Sequence, residues 1–175
     1  SSEKILNNPW RGAEAWHFYM MGQQLERADQ TTRLLDVKYQ QLLPQGAEEG
    51  SAADVAQWHA LLRAAAGFQA FRRENPSRTR PMHVASFLLF NPRFPRSLLC
   101  AVNEAADALS SLRTEGGLPT GLLAQKHLRG FQTTLMDMTI EEVLDRGLHA
   151  TIDWVQSELI ETTALLQREF FGYEG

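Results

Sequence analysis

A chain of 175 residues, 43% apolar and 22% charged, with a formal net charge of −4, has the size and balance of one globular domain. Its 24 Leu and 20 Ala against 6 Val and 4 Ile favour helix and exclude a sheet-rich fold. One cysteine, Cys100, excludes an internal disulfide and a multi-cysteine zinc site and fits a reducing, cytoplasmic setting, while no apolar run approaches the roughly 18 residues of a membrane span.

The first predicted helix runs from Ala13 to Leu43 without an internal proline. Phe18, Gly22, Leu25, Ala28, Thr32, Leu35, Tyr39 and Leu42 recur at helical steps, with Trp16, Met20, Thr31 and Leu34 as a second strip. So little of its surface is polar that neighbours are expected to wrap it. Pro44-Gln45-Gly46 ends it. Ser51 and Asp54 form a capping pair for a second helix to about Ala66, with Gly67 read as a kink before Asn75-Pro76. A short apolar helix follows over 81–90. Asn91-Pro92 breaks it, and Pro95 is placed as the first residue of a helix to Glu115, capped by Gly116-Gly117. Pro119 opens a helix to Asp137. Thr139 with Glu142 caps a final stretch to Phe171, which Gly147 can divide. Its stripe is Leu148, Ile152, Val155, Leu159, Thr162, Leu166 and Phe170. The expectation is a single all-α domain over 1–175, a bundle of six or seven helices with long first and last members.

Ordinary catalytic patterns are scarce. Glu14-x-x-His17 is the one ligand-like spacing, and a di-iron bundle needs it twice, so no metal or other cofactor is expected. Cys100 sits between Leu99 and Ala101, the setting of a small core residue. The glycine-rich run 116–121 lacks the Gly-Lys-Ser/Thr of a phosphate loop.

Charge is more informative. Residues 63–96 carry seven Arg and one acid, Glu74, so this stretch is +6 and the remainder −10. Five Phe interleave with it, a pattern compatible with nucleic acid or an acidic partner. With three Lys in an acidic chain, nucleic acid is disfavoured, and the arginines are expected to pair across helix interfaces or face solvent. Arg96 and Ser97, at the expected start of a helix, form a candidate anion cradle. The matching candidate on the first helix is a charged strip, Glu26, Asp29, Arg33 and Asp36, at the margin of its apolar face. Gly22, one turn before Glu26, leaves a bare spot for close approach. Such a strip serves either as a site or as ion pairs stitching helices together.

The run from Glu14 to Val37 resembles the alpha-E domain family, whose motif reads approximately W-x-x-x-x-L-G-R-x-x-E-R-A-[DE]-x-x-x-R-L-L-D. Phe87-Leu88-Leu89 followed by Phe94-Pro95-Arg96-Ser97, and Glu169-Phe170-Phe171 near the end, resemble further family elements. One departure is Gln23, where the motif places Arg. The resemblance carries over Glu26, Arg27, Asp29, Arg33, Asp36, Arg96 and Ser97 as the charged groove. Family members carry the unit twice, and this chain, which starts on Ser1 rather than Met, resembles the second copy of a longer bacterial protein.

The resemblance implies a setting rather than a reaction. The family accompanies a circularly permuted ATP-grasp ligase and transglutaminase-like proteins. The leading expectation is therefore a non-catalytic cytoplasmic partner of an amide or peptide ligase, binding the ligase or a peptide or anionic substrate, with no nucleic acid and no membrane. The alternatives are an enzyme in which Glu26 acts as acid or base beside substrate-holding arginines, and a purely structural helical repeat.

Overall fold

A computed structural model describes residues 9–42, 51–77, 79–115 and 120–172. Among them are eight helices and no strand: α1 (Pro9–Leu42), α2 (Ala52–Ala64), α3 (Phe68–Glu74), α4 (Pro81–Phe90), α5 (Leu98–Glu115), α6 (Leu122–Asp137), α7 (Ile140–Arg146) and α8 (Leu148–Phe171). The fold is an all-α bundle. No helix is long and apolar enough to cross a membrane.

Helix α1 is the hub, packed along α5 and against α8, α4 and α2, while α6 joins α5 to α8. Its inner face buries Met21, Leu25, Ala28, Leu35 and Tyr39 against a core that includes Trp58, Leu88, Leu98, Leu109 and Phe131. The wrapping is incomplete: Trp16 and Tyr19 are 58% and 60% exposed. The α8 stripe goes inward as its spacing requires, with Leu148, Ile152, Val155, Leu159, Thr162 and Leu166 buried. Phe170 meets Phe18 edge-on at 4.8 Å, clamping the end of α8 to α1.

Breaks at Gly67 and Gly147 account for the count of eight, the second one allowed for by the sequence. Gly67 ends a helix rather than kinking one. Ala66 turns to φ +56°, and the Gly67 N–H donates to Leu62 O at 2.8 Å, closing α2 before α3 begins. A side chain at Gly67 would meet the Phe94 ring at 2.9 Å, so the aromatic packing requires glycine there. Gly147, at φ +96°, separates α7 from α8. The caps at Ser51 and Thr139 form as the sequence indicates, the latter as a full capping box with Glu142.

Three helix starts differ from expectation, the first being α1, which begins at Pro9 rather than Ala13. Helix α5 begins at Leu98, not Pro95, because residues 92–97 fold as a turn held by side chains. Helix α6 begins at Leu122 after Gly121, whose φ of +90° and close approach to the Phe170 ring admit only glycine. Its first N–H groups donate to a carboxylate from α8, Leu123 N to Glu169 Oε1 at 2.8 Å and Ala124 N to Oε2 at 3.2 Å. The expected stops at 44–46 and 116–117, and Pro119 as the expected opening of a helix, lie outside the described residues.

Candidate functional site

The turn between α4 and α5 is built around Asn91. Its Oδ1 accepts from the N–H groups of Arg93 and Phe94, both at 2.9 Å, while its amide donates to Glu74 Oε2 at 2.6 Å. The Ser97 hydroxyl donates to Asn91 O and accepts from Cys100 N–H at 3.1 Å, capping α5. Ser97 is thus fully buried and faces the turn rather than solvent. Arg96, one residue before it, lies outside the helix and is exposed.

A hydrogen bond fastens this turn to α1. Thr31 Oγ1 donates to Arg96 O at 2.8 Å. With Leu25 and Ala28 buried, Glu26, Arg27 and Gln30 fall on the side of α1 that faces the turn. The result is a pocket of about 300 Å³ whose polar wall is Gln23, Glu26, Arg27, Gln30, Thr31 and Arg96, closed behind by Leu34, Ala64 and Ala65. Glu26 accepts a 3.3 Å hydrogen bond from Gln30. Neither Arg27 nor Arg96 forms an ion pair with a carboxylate of the described residues.

On the other side of Glu26 runs a larger groove of about 620 Å³ between α1 and α8. Its floor is Phe18, Met21, Gly22 and Leu25 against Leu159, Ile160, Ala164 and Phe171, with Glu26, Asp29 and Arg33 along one margin. No atom lies within 4 Å of where a Gly22 side chain would start, so the bare spot opens into this groove. Asp29 and Arg33 pair within α1 at 2.9 Å, and that bond raises the Arg33 pKa further. Asp36 turns to α8, where His149 Nδ1 lies 2.9 Å from its carboxylate.

The chain's only Glu-Arg dipeptide, Glu26-Arg27, thus stands on the ridge between pocket and groove. The Alpha-E family model, described as an alpha-helical domain with a conserved ER motif, matches residues 8–171. The chain belongs to the Alpha-E family. No curated protein and no solved structure matches it.

Of the seven residues singled out in this Alpha-E domain, the structure therefore gathers three, Glu26, Arg27 and Arg96, into one pocket. Asp29 and Arg33 join only the groove, Asp36 joins α1 to α8, and Ser97 is interior. Sequence reading missed Gln30 and Thr31 as pocket residues. Thr31 had been assigned to an apolar strip, and its position one turn from Arg27 was the available signal. His17, from the one ligand-like spacing, bonds Glu115 of α5 at 2.9 Å, and among the described residues no three His, Cys, Asp or Glu side chains form a metal-holding group. The Cys100 thiol is pushed up by burial and then by Glu104, with Arg27 opposing, which keeps it protonated at neutral pH.

Proposed function

We propose that this Alpha-E domain is a non-catalytic partner module that engages an ATP-grasp amide or peptide ligase system by holding a peptide at the Glu26–Arg27–Arg96 pocket. One observation carries the reading: two guanidinium groups without ion pairs and a carboxylate converge on one open, polar pocket. A peptide offers what such a wall recognises. Its carbonyls or terminal carboxylate suit Arg27 and Arg96, and its N–H groups suit Glu26 and the side-chain oxygens of Gln23 and Gln30. Gln23 stands where the family motif has Arg, so this wall carries one cation fewer and more amide character. The choice of ligase as the system rests on the family resemblance.

A structural role for the strip is carried by Asp36 alone, which meets His149 of α8. Arg27 makes no ion pair with the described carboxylates, and Arg33 pairs within its own helix, so neither stitches α1 to a neighbour.

The test is co-purification of this chain with the cognate ATP-grasp ligase, with product formation measured for Glu26→Ala and Arg27→Ala. The expected result is capture by wild type and at least tenfold less product with either variant. Both residues lie outside the core, so thermal melts are expected to stay within the small range of surface substitutions. Absence of capture together with unchanged product would overturn the reading.

A further inference from the structure

Six arginines of residues 63–96 belong to the described residues, and none of the six pairs with the acidic remainder. Among the described residues, Arg63, Arg72, Arg73, Arg80, Arg93 and Arg96 form no ion pair with any carboxylate, and all six are exposed. The one acid of the stretch, Glu74, is held by the Asn91 amide.

Arg63 and Arg72 share one aromatic ring, Arg73 and Arg93 share one cavity, and Arg96 shares a pocket with Ala64, the neighbour of Arg63. The Arg63 guanidinium lies 4.1 Å over the Phe68 ring and that of Arg72 lies 5.8 Å from the same centroid. His59 closes the cluster, meeting the Phe68 ring edge-on at 4.9 Å and Thr79 Oγ1 at 2.9 Å. Burial, and then the charges of Arg63 and Arg72, lower the His59 pKa, consistent with a region lacking counter-charge. Arg73 and Arg93 line one cavity of about 350 Å³ with Pro95, and Arg96 continues the array to the pocket on α1. The contact of Phe94 with the α2–α3 joint at Gly67 fixes the turn carrying Arg93 and Arg96 against the helices carrying the others.

We infer that this arginine face, formed by the end of α2, α3 and the α4–α5 turn, is a docking surface for an acidic peptide segment rich in Asp and Glu. Charge complementarity argues for the partner, and guanidinium forks match carboxylates two bonds at a time. The aromatics argue against nucleic acid. Binding single strands needs open rings on which bases stack. Here Phe71, Phe87 and Phe94 are buried, and a face of Phe68 is already covered by Arg63. The −10 charge of the remaining chain also repels a long polyanion while leaving room for a short one. The inference stands independently of the ligase reading.

The experiment is fluorescence anisotropy of labelled octaglutamate with the whole chain, compared with octalysine and octathymidylate. Octaglutamate is expected to bind at low salt and at least tenfold more weakly in half-molar salt, where exposed charges are screened. Octalysine is expected not to bind. Arg63→Glu with Arg72→Glu is expected to weaken octaglutamate binding at least tenfold. Because that pair touches the Phe68 stack, Arg73→Ala with Arg93→Ala serves as a second variant and is expected to weaken binding at least threefold with an unchanged thermal melt. Octathymidylate binding as tightly as octaglutamate, no binding at low salt, or wild-type affinity in the second variant would each overturn the inference.

Discussion

His149 on α8 places Nδ1 2.9 Å from the Asp36 carboxylate on α1, which makes Asp36 the member of the charged strip that joins α1 to another helix. Asp36, through its hydrogen bond and then its charge, and Asp153 after it, raise the His149 pKa above the ordinary 6.5. A histidine raised on folding contributes stability that is fully present below pH 6.5 and lost as pH rises through the higher folded value. The difference in Tm between wild type and His149→Gln is therefore expected to be largest near pH 5.5 and to shrink by pH 8. Comparing the two proteins at each pH removes the opposite contribution of His59. A difference that grew with pH would contradict the assignment.

Ser97 was a candidate anion ligand in the sequence and is a cap in the fold. Replacing it with Ala removes a buried donor to Asn91 O and the acceptor for Cys100 N–H. The expected cost is about 1–2 kcal/mol in urea unfolding, from the lost cap and the carbonyl left without its partner. The same change frees the turn that carries Arg96, so peptide binding is expected to weaken alongside stability.

Two glycines are expected to respond to alanine in opposite ways. Gly22 lies within α1 with nothing near a new side chain, so Gly22→Ala is expected to stabilise by about 0.5–1 kcal/mol. Gly121 has φ +90° and the Phe170 ring 2.6 Å from a new side chain. There the same change is expected to cost more than the roughly 1–2 kcal/mol of a left-handed residue. Melts of the two variants side by side decide it. Loss of stability in Gly22→Ala would show that the groove is filled in solution.

Cys100 is expected to alkylate more slowly than free cysteine at pH 7.5, because its thiol is held protonated by burial and Glu104. Rapid iodoacetamide labelling would reopen the question of a nucleophile beside Arg27.

The sequence by itself determined the helical class, the long first and last helices, and most helix starts and stops. These depend on local physics: leucine and alanine spacing, the caps at Ser51 and Thr139, and breaks at Asn75-Pro76 and Asn91-Pro92. It also placed Glu26 at the margin of the α1 apolar face, because helical period alone sets that, while Arg27 entered only through the family resemblance. Even the α8 stripe was legible down to the buried Thr162, since 3- and 4-step spacing does not depend on the partner.

Only the tertiary structure decided which charges meet. Arg96 lines the same pocket as Arg27 because Thr31 and Arg96 bond across 65 positions, and Asp36 finds His149 across 113, separations that no periodicity reports. Pro95 looked like a helix start until the Asn91 and Ser97 side chains folded residues 92–97 into a turn and buried one of the two cradle residues. Of the two expectations for the arginine stretch, pairing across interfaces or facing solvent, the six described arginines follow the second, because net charge records how many charges a chain has but not which side of the bundle each one faces. What the tertiary structure added is this separation: a polar pocket beside Glu26-Arg27, an apolar groove behind it, and an arginine face without ion pairs next to both.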